Sequence, residues 1–504
     1  MAISFNNIPS QIRVPLFYAE MDNSMANTAT SAKQAVLIGF MADDAEAKEN
    51  SPLLVSTASK AKEWFGRGSQ LALEVEAYRD QDSTGILYAV AQKPSESAAA
   101  AAGTVTLAGT ALKAGTVALY VGGEKVAVDV ALGDTAAQVA AAMVAAVSAD
   151  KDLPVTAAKG ESTEDGDTVV NFTAKSKGAW GNEIRLATNL KGLAGGEADV
   201  SGLAVTISQM ANGSGSVDYE KAFAALGDET FQYIGIPEAD ATSLDAAKDV
   251  MNDSTGRWSY AKMQYGHVFA CKRGTSEDLV TFGKTRNDQH ATVFGIEPEF
   301  PDASWKVMAA ALGREAAYIT IDPARPTQTG PLNGLTAPAV ESRFTMTERN
   351  TLLYSGIATL YVNAGTVRIE RAVTTYRVNA FGDADNSYLD SETLFTLAEV
   401  TTRLKTAITS KYPRHKLASD GTRYGAGQAI VTPSVIRSEL IAQYAAMETD
   451  GLVENAELFA KYLIVERNTS DPNRIDVLLP PDLVNQLRIF ALQNQFRLQY
   501  PENA

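Results

Sequence analysis

The chain has one cysteine, Cys271, in 504 residues. No intrachain disulfide can form, which fits folding in a reducing compartment. Histidine is almost as scarce. His267, His290 and His415 are widely separated, and none stands in a His-Glu-x-x-His or Cys-x-x-Cys context, so the common zinc signatures are missing. Positive charge is short as well: 44 Lys and Arg against 60 Asp and Glu give a formal net charge of -16. So acidic a chain lacks the basic face that displaces counterions from nucleic acid or docks on anionic lipid. It suits a very soluble subunit stored at high concentration. No apolar run approaches the roughly 18 residues that suggest a membrane span. The opening MAISFNNIPSQIRVP has no basic segment followed by an apolar one, so no secretory signal is expected.

Reactive constellations are missing too. Cys271 and His267 share one face of a predicted strand, but at about 3.3 Å per residue they lie roughly 13 Å apart, too far for a nucleophile–base pair. Gly66-Arg-Gly68-Ser69 lacks the third glycine of a dinucleotide fingerprint and the Gly-Lys-Ser/Thr of a phosphate loop. A turn between helices explains it better. Asp383-x-Asp385-x-Ser387 begins like a calcium loop, but Tyr388 stands where glycine is required and Leu394 where glutamate is required. No Gly-x-Ser-x-Gly elbow occurs. The expectation is a protein that is not an enzyme, with no catalytic residue, no cofactor and no metal.

What is present is material for large cores. Hydrophobic residues make up 45% and charged residues 21%, an ordered composition, and the length predicts about three domains. Residues 1–30 read as an arm and linker: Ile12, Val14, Leu16 and Tyr18 alternate with Arg13, Pro15 and Phe17, as in an edge strand that includes Pro15. Residues 31–95 begin an α/β core, with strands at 34–40 and 85–91 and helices at 56–65 and 70–79. At 96–215 the composition turns to Ala, Gly, Thr and Val between an Ala/Ser-rich flank and Asn212-Gly-Ser-Gly-Ser216. This reads as an inserted, mainly-β outer domain, protruding on hinge-like flanks whose ends lie close together. Residues 216–400 resume the core, with strands at 231–236, 267–272, 291–296 and 373–378 and a helix at 304–317. A hairpin turns at Asn363-Ala-Gly365. The Pro/Gly-rich loop 322–338 is long enough to be functional or interfacial. Residues 401–504 form a C-terminal inner domain, with predicted helices at 391–411 and 433–447 and strands at 458–467 and 474–479. The last segment alternates again, placing Phe490, Leu492, Phe496, Leu498 and Tyr500 on one side of a second strand-like arm. The fold class is mixed α/β (α+β), multidomain, with a discontinuous core.

Several blocks carry a resemblance. Ile3-Ser-Phe-Asn-Asn-Ile-Pro-Ser10, Arg13-Val-Pro-Leu16, Asp22-Asn-Ser24 and Phe65-Gly-Arg-Gly-Ser69 are similar to the N-terminal part of the tail sheath proteins of Mu-like bacteriophages. Phe344-Thr-Met-Thr-Glu-Arg-Asn-Thr-Leu-Leu353 and Val367-Arg-Ile-Glu-Arg-Ala-Val-Thr-Thr-Tyr376 resemble that family's core. Leu479-Pro-Pro-Asp-Leu-Val-Asn-Gln-Leu-Arg488 with Gln495-Phe-Arg-Leu-Gln-Tyr500 resembles its ending. The likeness spans both ends and most of 217–500 and leaves out the insert.

The resemblance implies a structural subunit of a contractile tail, stacked helically with many copies of itself around a tail tube. Its partners would be the tube protein and the baseplate and tail terminator proteins, with no nucleic acid contact and no membrane insertion. It would reside in the virion tail after assembly in the host bacterial cytoplasm. Terminal arms would complete a sheet shared with neighbours. Arg403, Lys405, Lys411, Arg414 and Lys416 are the candidates for facing the tube. A sheath subunit of a tailocin or related injection device is the alternative.

Overall fold

The computed structural model describes residues 33–162 and 167–499. Ile12, Val14, Leu16 and Tyr18, read above as an arm, lie outside the described residues, as does Tyr500. The described chain opens with β1 (Gln34–Phe40), β2 (Pro52–Leu54), α1 (Ala58–Phe65), α2 (Gln70–Arg79) and β3 (Ile86–Gln92). The insert contributes β4 (Ala102–Gly109), β5 (Gly115–Val121), β6 (Glu124–Val130), α3 (Ala136–Ala149), β7 (Val155–Ser162), β8 (Thr168–Ala174), β9 (Leu186–Thr188) and β10 (Leu203–Ala211). The core then resumes with α4 (Tyr219–Ala225), β11 (Tyr233–Gly235), α5 (Ala241–Met251), β12 (His267–Arg273), α6 (Ser276–Lys284) and β13 (Ala291–Ile296). It continues through α7 (Ser304–Ile321), α8 (Met346–Tyr354), β14 (Ala358–Asn363) and β15 (Thr366–Arg371).

The core sheet has eight strands in the order β15-β14-β13-β12-β11-β1-β3-β2. The strands from β14 to β3 run parallel, and β15 and β2 close the two edges antiparallel. A parallel sheet must be covered on both faces, which is why β13, Ala-Thr-Val-Phe-Gly-Ile, is buried along its whole length. Alternate residues of β1 feed opposite cores. Ala35 and Leu37 pack with α2 and α7, and Val36, Ile38 and Phe40 pack with α4, α5 and the insert. The Gly66–Gly68 motif is the turn between α1 and α2. Gly66 has φ 89°, and a Cβ there would lie 2.5 Å from that of Ala42, so only glycine fits. Ser69 caps α2 by accepting from Ala72 N. The β14–β15 turn places Ala364 and Gly365 at φ 49° and 78°, as a tight primed hairpin requires.

Both edges of this sheet are sealed. β2 has only three residues. At the other edge, Thr329 N donates to Ile369 O (2.8 Å), Leu332 N to Val367 O (2.8 Å), and Ile369 N to Gly330 O (2.9 Å). The Pro/Gly-rich loop therefore occupies the free side of β15, where an unpaired strand would otherwise recruit another chain. Residues 373–378, predicted as a further strand, make only isolated bridges. Their bonds go to turns instead: Thr374 Oγ1 donates to Tyr388 O and Thr375 Oγ1 to Asp288 O.

The insert forms a four-stranded sheet, β10-β4-β8-β7, and a three-stranded one, β6-β5-β9. Its apolar interior is continuous with one face of the core sheet. Trp180 packs edge-on against Trp305 of α7, with centroids 5.7 Å apart. Ion pairs line the seam: Arg273 Nε–Glu183 (3.0 Å), Lys306 Nζ–Glu124 (2.8 Å), Lys62 Nζ–Asp152 (3.2 Å), and Arg185 with Glu299. The flanks, expected to be flexible hinges, bond to each other. Ala99 N donates to Ser214 O, and the Gln92 side chain donates to Asp218 O and accepts from Asp218 N, both at 2.8 Å.

A carboxyl is held at this seam. Glu238 accepts from Val217 N (3.2 Å) and from Tyr219 Oη. Burial pushes it up to about 7 from an ordinary value of 4.5, against the lowering effect of those two bonds. Native Glu238 thus holds a proton that the unfolded chain releases between pH 4.5 and about 7. Its contribution is complete below that interval and is lost as the pH rises through it. Glu238→Gln, neutral and of the same shape, is expected to flatten the fall of the urea midpoint over that window. Equal slopes for the two proteins would refute this.

The C-terminal unit holds α9 (Ser391–Lys411), β16 (Lys416–Leu417), β17 (Ile430–Val431), α10 (Pro433–Thr449), α11 (Ala456–Tyr462), β18 (Ile464–Arg467) and β19 (Ile475–Leu478). α9 runs unbroken through position 400. Residues 458–467, predicted as one strand, divide into the end of α11 and β18. Phe459 of α11 stacks on Tyr444 of α10, with centroids 3.7 Å apart. Tyr444 Oη donates to Glu454 O and accepts from Asp482 N, fastening the segment after Pro480-Pro481.

Candidate functional site

Doubly wound sheets bind ligands outside the carboxyl ends of their strands, where the strand order reverses. Here that point lies between β1 and β11, and the insert fills it. A Cβ on Gly178 would stand 3.1 Å from the Phe40 ring at the end of β1, and the buried Trp180 follows. Glu74 of α2 lies fully buried nearby, with both carboxyl oxygens unpartnered. Burial first, then the neighbouring Glu238 once ionised, push its carboxyl well above the usual range. Two hollows elsewhere are small. One of about 90 Å³ is lined by Glu297, Phe344 and Arg349, and one of about 250 Å³ lies between α6 and α8. Small-molecule sites usually need ~300–1,000 Å³.

The scarce reactive side chains stay apart. His267 is buried against Phe269 and Phe395, with Nε2 2.8 Å from Thr292 Oγ1. Burial lowers its pKa well below the ordinary value, so the ring is neutral. Cys271 lies buried on the same strand, and burial raises its thiol far above the reactive range. His290 pairs with Asp253 at 3.0 Å, and His415 stands beside Tyr412. Among the described residues no group of three metal-ligating side chains converges.

The surface offers more. β18 and β19 pair with each other in antiparallel register and with no other strand among the described residues. Val465 and Ile475 pack on the C-terminal core, while Ile464, Val477 and Leu478 stand exposed. Of the other free edges, β16 and β17 are only two residues long, and those of the insert carry the usual deterrents. β7 contains Lys159 and Gly160, β6 contains Lys125 and Asp129, and the outer residues of β10 include Thr206 and Ser208. The hairpin is thus the apolar open edge of the C-terminal unit.

The chain beyond the hairpin is equally unfinished. Phe490 is 80% and Leu498 96% exposed, and Ile489, Leu492 and Phe496 are exposed to a similar degree. Residues 489–499 form no ladder in the single chain. Of the cations expected to face a tube, Arg403 is paired with Glu399 and Asp450, and Lys411 with Glu439. Lys416 donates to Gln428, and Lys405 and Arg414 are exposed. Sequence reading missed the wholly exposed stretch 421–429 between β16 and β17, which presents Arg423 and Tyr424. Its signal was Gly421, Gly425 and Gly427 within nine residues.

Relatives match this architecture. The family model for the phage tail sheath protein central domain matches residues 212–375, and that for the phage tail sheath C-terminal domain matches 383–497. The Mu-like prophage FluMu tail sheath protein of Haemophilus influenzae is 42% identical over 501 residues, covering 99% of this chain and all of that one. Among solved structures, the sheath tail protein of Desulfitobacterium hafniense aligns at TM-score 0.50 with 11% identity, over 94% of this chain and 97% of that one. That likeness concerns the fold alone. The family's role is structural, and the open hairpin edge and bare C-terminal segment are surfaces of that kind. The chain belongs to the phage tail sheath family, with a relative of Mu-like type that matches it along its whole length.

Proposed function

We propose that each subunit is linked to its neighbours by β-augmentation: the apolar C-terminal arm of one copy, Phe490, Leu492, Phe496, Leu498 and Tyr500, adds a strand to the β18–β19 hairpin of another. The N-terminal arm with Ile12, Val14, Leu16 and Tyr18 completes the same shared sheet. The observation that carries this reading is an exposed apolar tail and an exposed apolar sheet edge on one unit, neither with a partner strand of its own. Main-chain hydrogen bonds supply the link, and alternate side chains supply its register. Contacts between different patches on successive copies do not close, so they build a helical tube.

The core and insert then move as a rigid body, joined by continuous packing, while the arms flex. The extended sheath is held by a kinetic barrier. Contraction is a collective shift to better subunit packing, driving the tube through the host envelope. Arg403, Lys405, Lys411, Arg414 and Lys416, with the exposed stretch 421–429, face the tail tube. The baseplate starts the change and a terminator caps the stack, within a virion tail assembled in the bacterial cytoplasm. Negative-stain microscopy of the purified protein, alone and with the tube protein, is the test. Hollow striated tubes are expected. Isolated particles under both conditions would overturn the reading.

A further inference from the structure

The C-terminal arm leaves the folded body at a buried cluster of charge. Glu315 comes from α7, Glu392 from the first turn of α9, and Asp390 from the position just before α9, where its side chain makes no capping bond. Arg371 of β15 grips Asp390 with two parallel bonds of 2.7 and 2.8 Å. The other guanidinium, Arg488, belongs to the tail itself. Its Nη2 lies 3.0 Å from Glu392 Oε1 and 3.3 Å from Asp390 Oδ1. The same Glu392 oxygen accepts from Thr327 N and Oγ1, both at 3.0 Å. Glu315 is fully buried with the Thr327 side chain beside its carboxyl, and it feels the charges of Glu392, Arg488 and Asp390. Burial first, then the Glu392 charge, push the Glu315 carboxyl well above its ordinary value, while Asp390 and Glu392 face the guanidiniums of Arg371 and Arg488.

The change along the tail is abrupt. Gln486 donates to Ala324 O (3.1 Å), the Leu487 carbonyl accepts from Gln328 Nε2 (3.4 Å), and the Arg488 side chain is 10% exposed. From Ile489 onward the large apolar side chains are bare. We propose that Arg488 is the pivot of the C-terminal arm, a cationic pin seated between Glu392 and Asp390 that fixes where and in which direction the arm leaves its subunit. The proposal rests on the reading of the following residues as a linking arm and adds how that arm is aimed. Withdrawing Arg488 would leave Glu392 buried without its cation, which is strongly unfavourable. The pin therefore holds while the chain beyond it swings. An arm with a fixed root searches a small volume for its acceptor edge, as a short tether does. Arg488 is a positioning residue in this scheme and touches no partner.

A single nitrogen of Arg488 meets both carboxylates, so lysine should replace it, whereas glutamine should not. The test uses the full chain, unassembled, with spin labels at Leu492→Cys and Thr449→Cys. Both positions are exposed, and the native Cys271 is buried and stays unlabelled. The distance distribution is expected to be narrow in the parent and in Arg488→Lys, and about twofold broader in Arg488→Gln, as for a released flexible segment. Glu392→Gln should broaden it equally, and the double variant no further, because the two residues act as one unit. If Arg488→Gln does not fold, Glu392→Gln carries the same comparison. Tube yield with the unlabelled proteins should fall in Arg488→Gln and recover in Arg488→Lys. An unchanged distribution in both glutamine variants overturns the pivot and leaves the linking arm intact. Failure of the parent itself to form tubes overturns the linking arm instead.

Discussion

Truncation after Arg488 is expected to leave a folded subunit that no longer forms stable tubes. The deletion removes Ile489, Phe490, Leu492, Phe496 and Leu498, all exposed in the single chain and absent from every apolar cluster of the body. Monomer stability should therefore stay within about 0.5 kcal/mol of the parent, as for other surface changes. Assembly behaves differently. Burying five large apolar side chains against a neighbour is worth roughly 1.5–3 kcal/mol each, before the cost of ordering the arm and fixing the two partners. Without that term the open hairpin edge has no strand to receive. Loss of residues 1–18 should act in the same way. Thermal melting checks the fold, and sedimentation with electron microscopy checks the tubes. Normal tubes from either truncated protein would remove the arms from the linkage.

Trp305→Ala is expected to cost about 3–5 kcal/mol, the range for deleting a buried aromatic ring. Trp305 is 2% exposed. It packs edge-on against Trp180, and its Nε1 donates to Trp180 O at 3.2 Å. The substitution opens a cavity, leaves that carbonyl unpaired, and loses an aromatic pair worth about 0.5–1.5 kcal/mol beyond its area. This site also joins the insert to α7, so the damage should be local in origin and shared in effect. Calorimetry should show the single transition of the parent lowered and split, as insert and core lose their common interior. Leu112→Ala, at an exposed position, is the control and should change little. A loss below about 1 kcal/mol at Trp305 would show that the seam is not a common core.

Much of the central sheet was legible because its residues have one use. Runs such as Val-Leu-Ile-Gly-Phe in β1 and Ala-Thr-Val-Phe-Gly-Ile in β13 suit only a strand buried on both faces. The Asn363-Ala-Gly365 turn was legible for a similar reason, since few residues accept its backbone. Where one residue serves two periodicities, the reading failed. Leu458, Phe459, Tyr462 and Leu463 fit a helix face as well as a strand, and the stack of Phe459 on Tyr444 decided for α11. The sealing of β15 was invisible in principle, because loop 322–338 pairs through its backbone. The small residues beside the insert were misread for a related reason. Smallness there serves close approach: a Cβ on Gly213 would stand 2.6 Å from Gly178 O, and one on Gly215 2.7 Å from the Ala98 Cβ. The alternation of the C-terminal arm was plain in the sequence. The cluster at its root was not, since Glu315, Glu392 and Arg488 come from three separate segments and declare themselves only by being buried together.

The closed borders of the eight-stranded sheet have a consequence for the cell that makes this protein. A sheet of that size with a bare margin would find its own copies long before a tail was ready, and the product would be a precipitate. With one margin cut to three residues and the other occupied by its own loop, the sheet offers no long free margin to a second copy. On the proposed linkage, growth is confined to one small hairpin, so productive stacking and unwanted clumping draw on different surfaces. Selection can then sharpen the first without feeding the second, and a large stock of subunits can wait in solution until a tail calls for them.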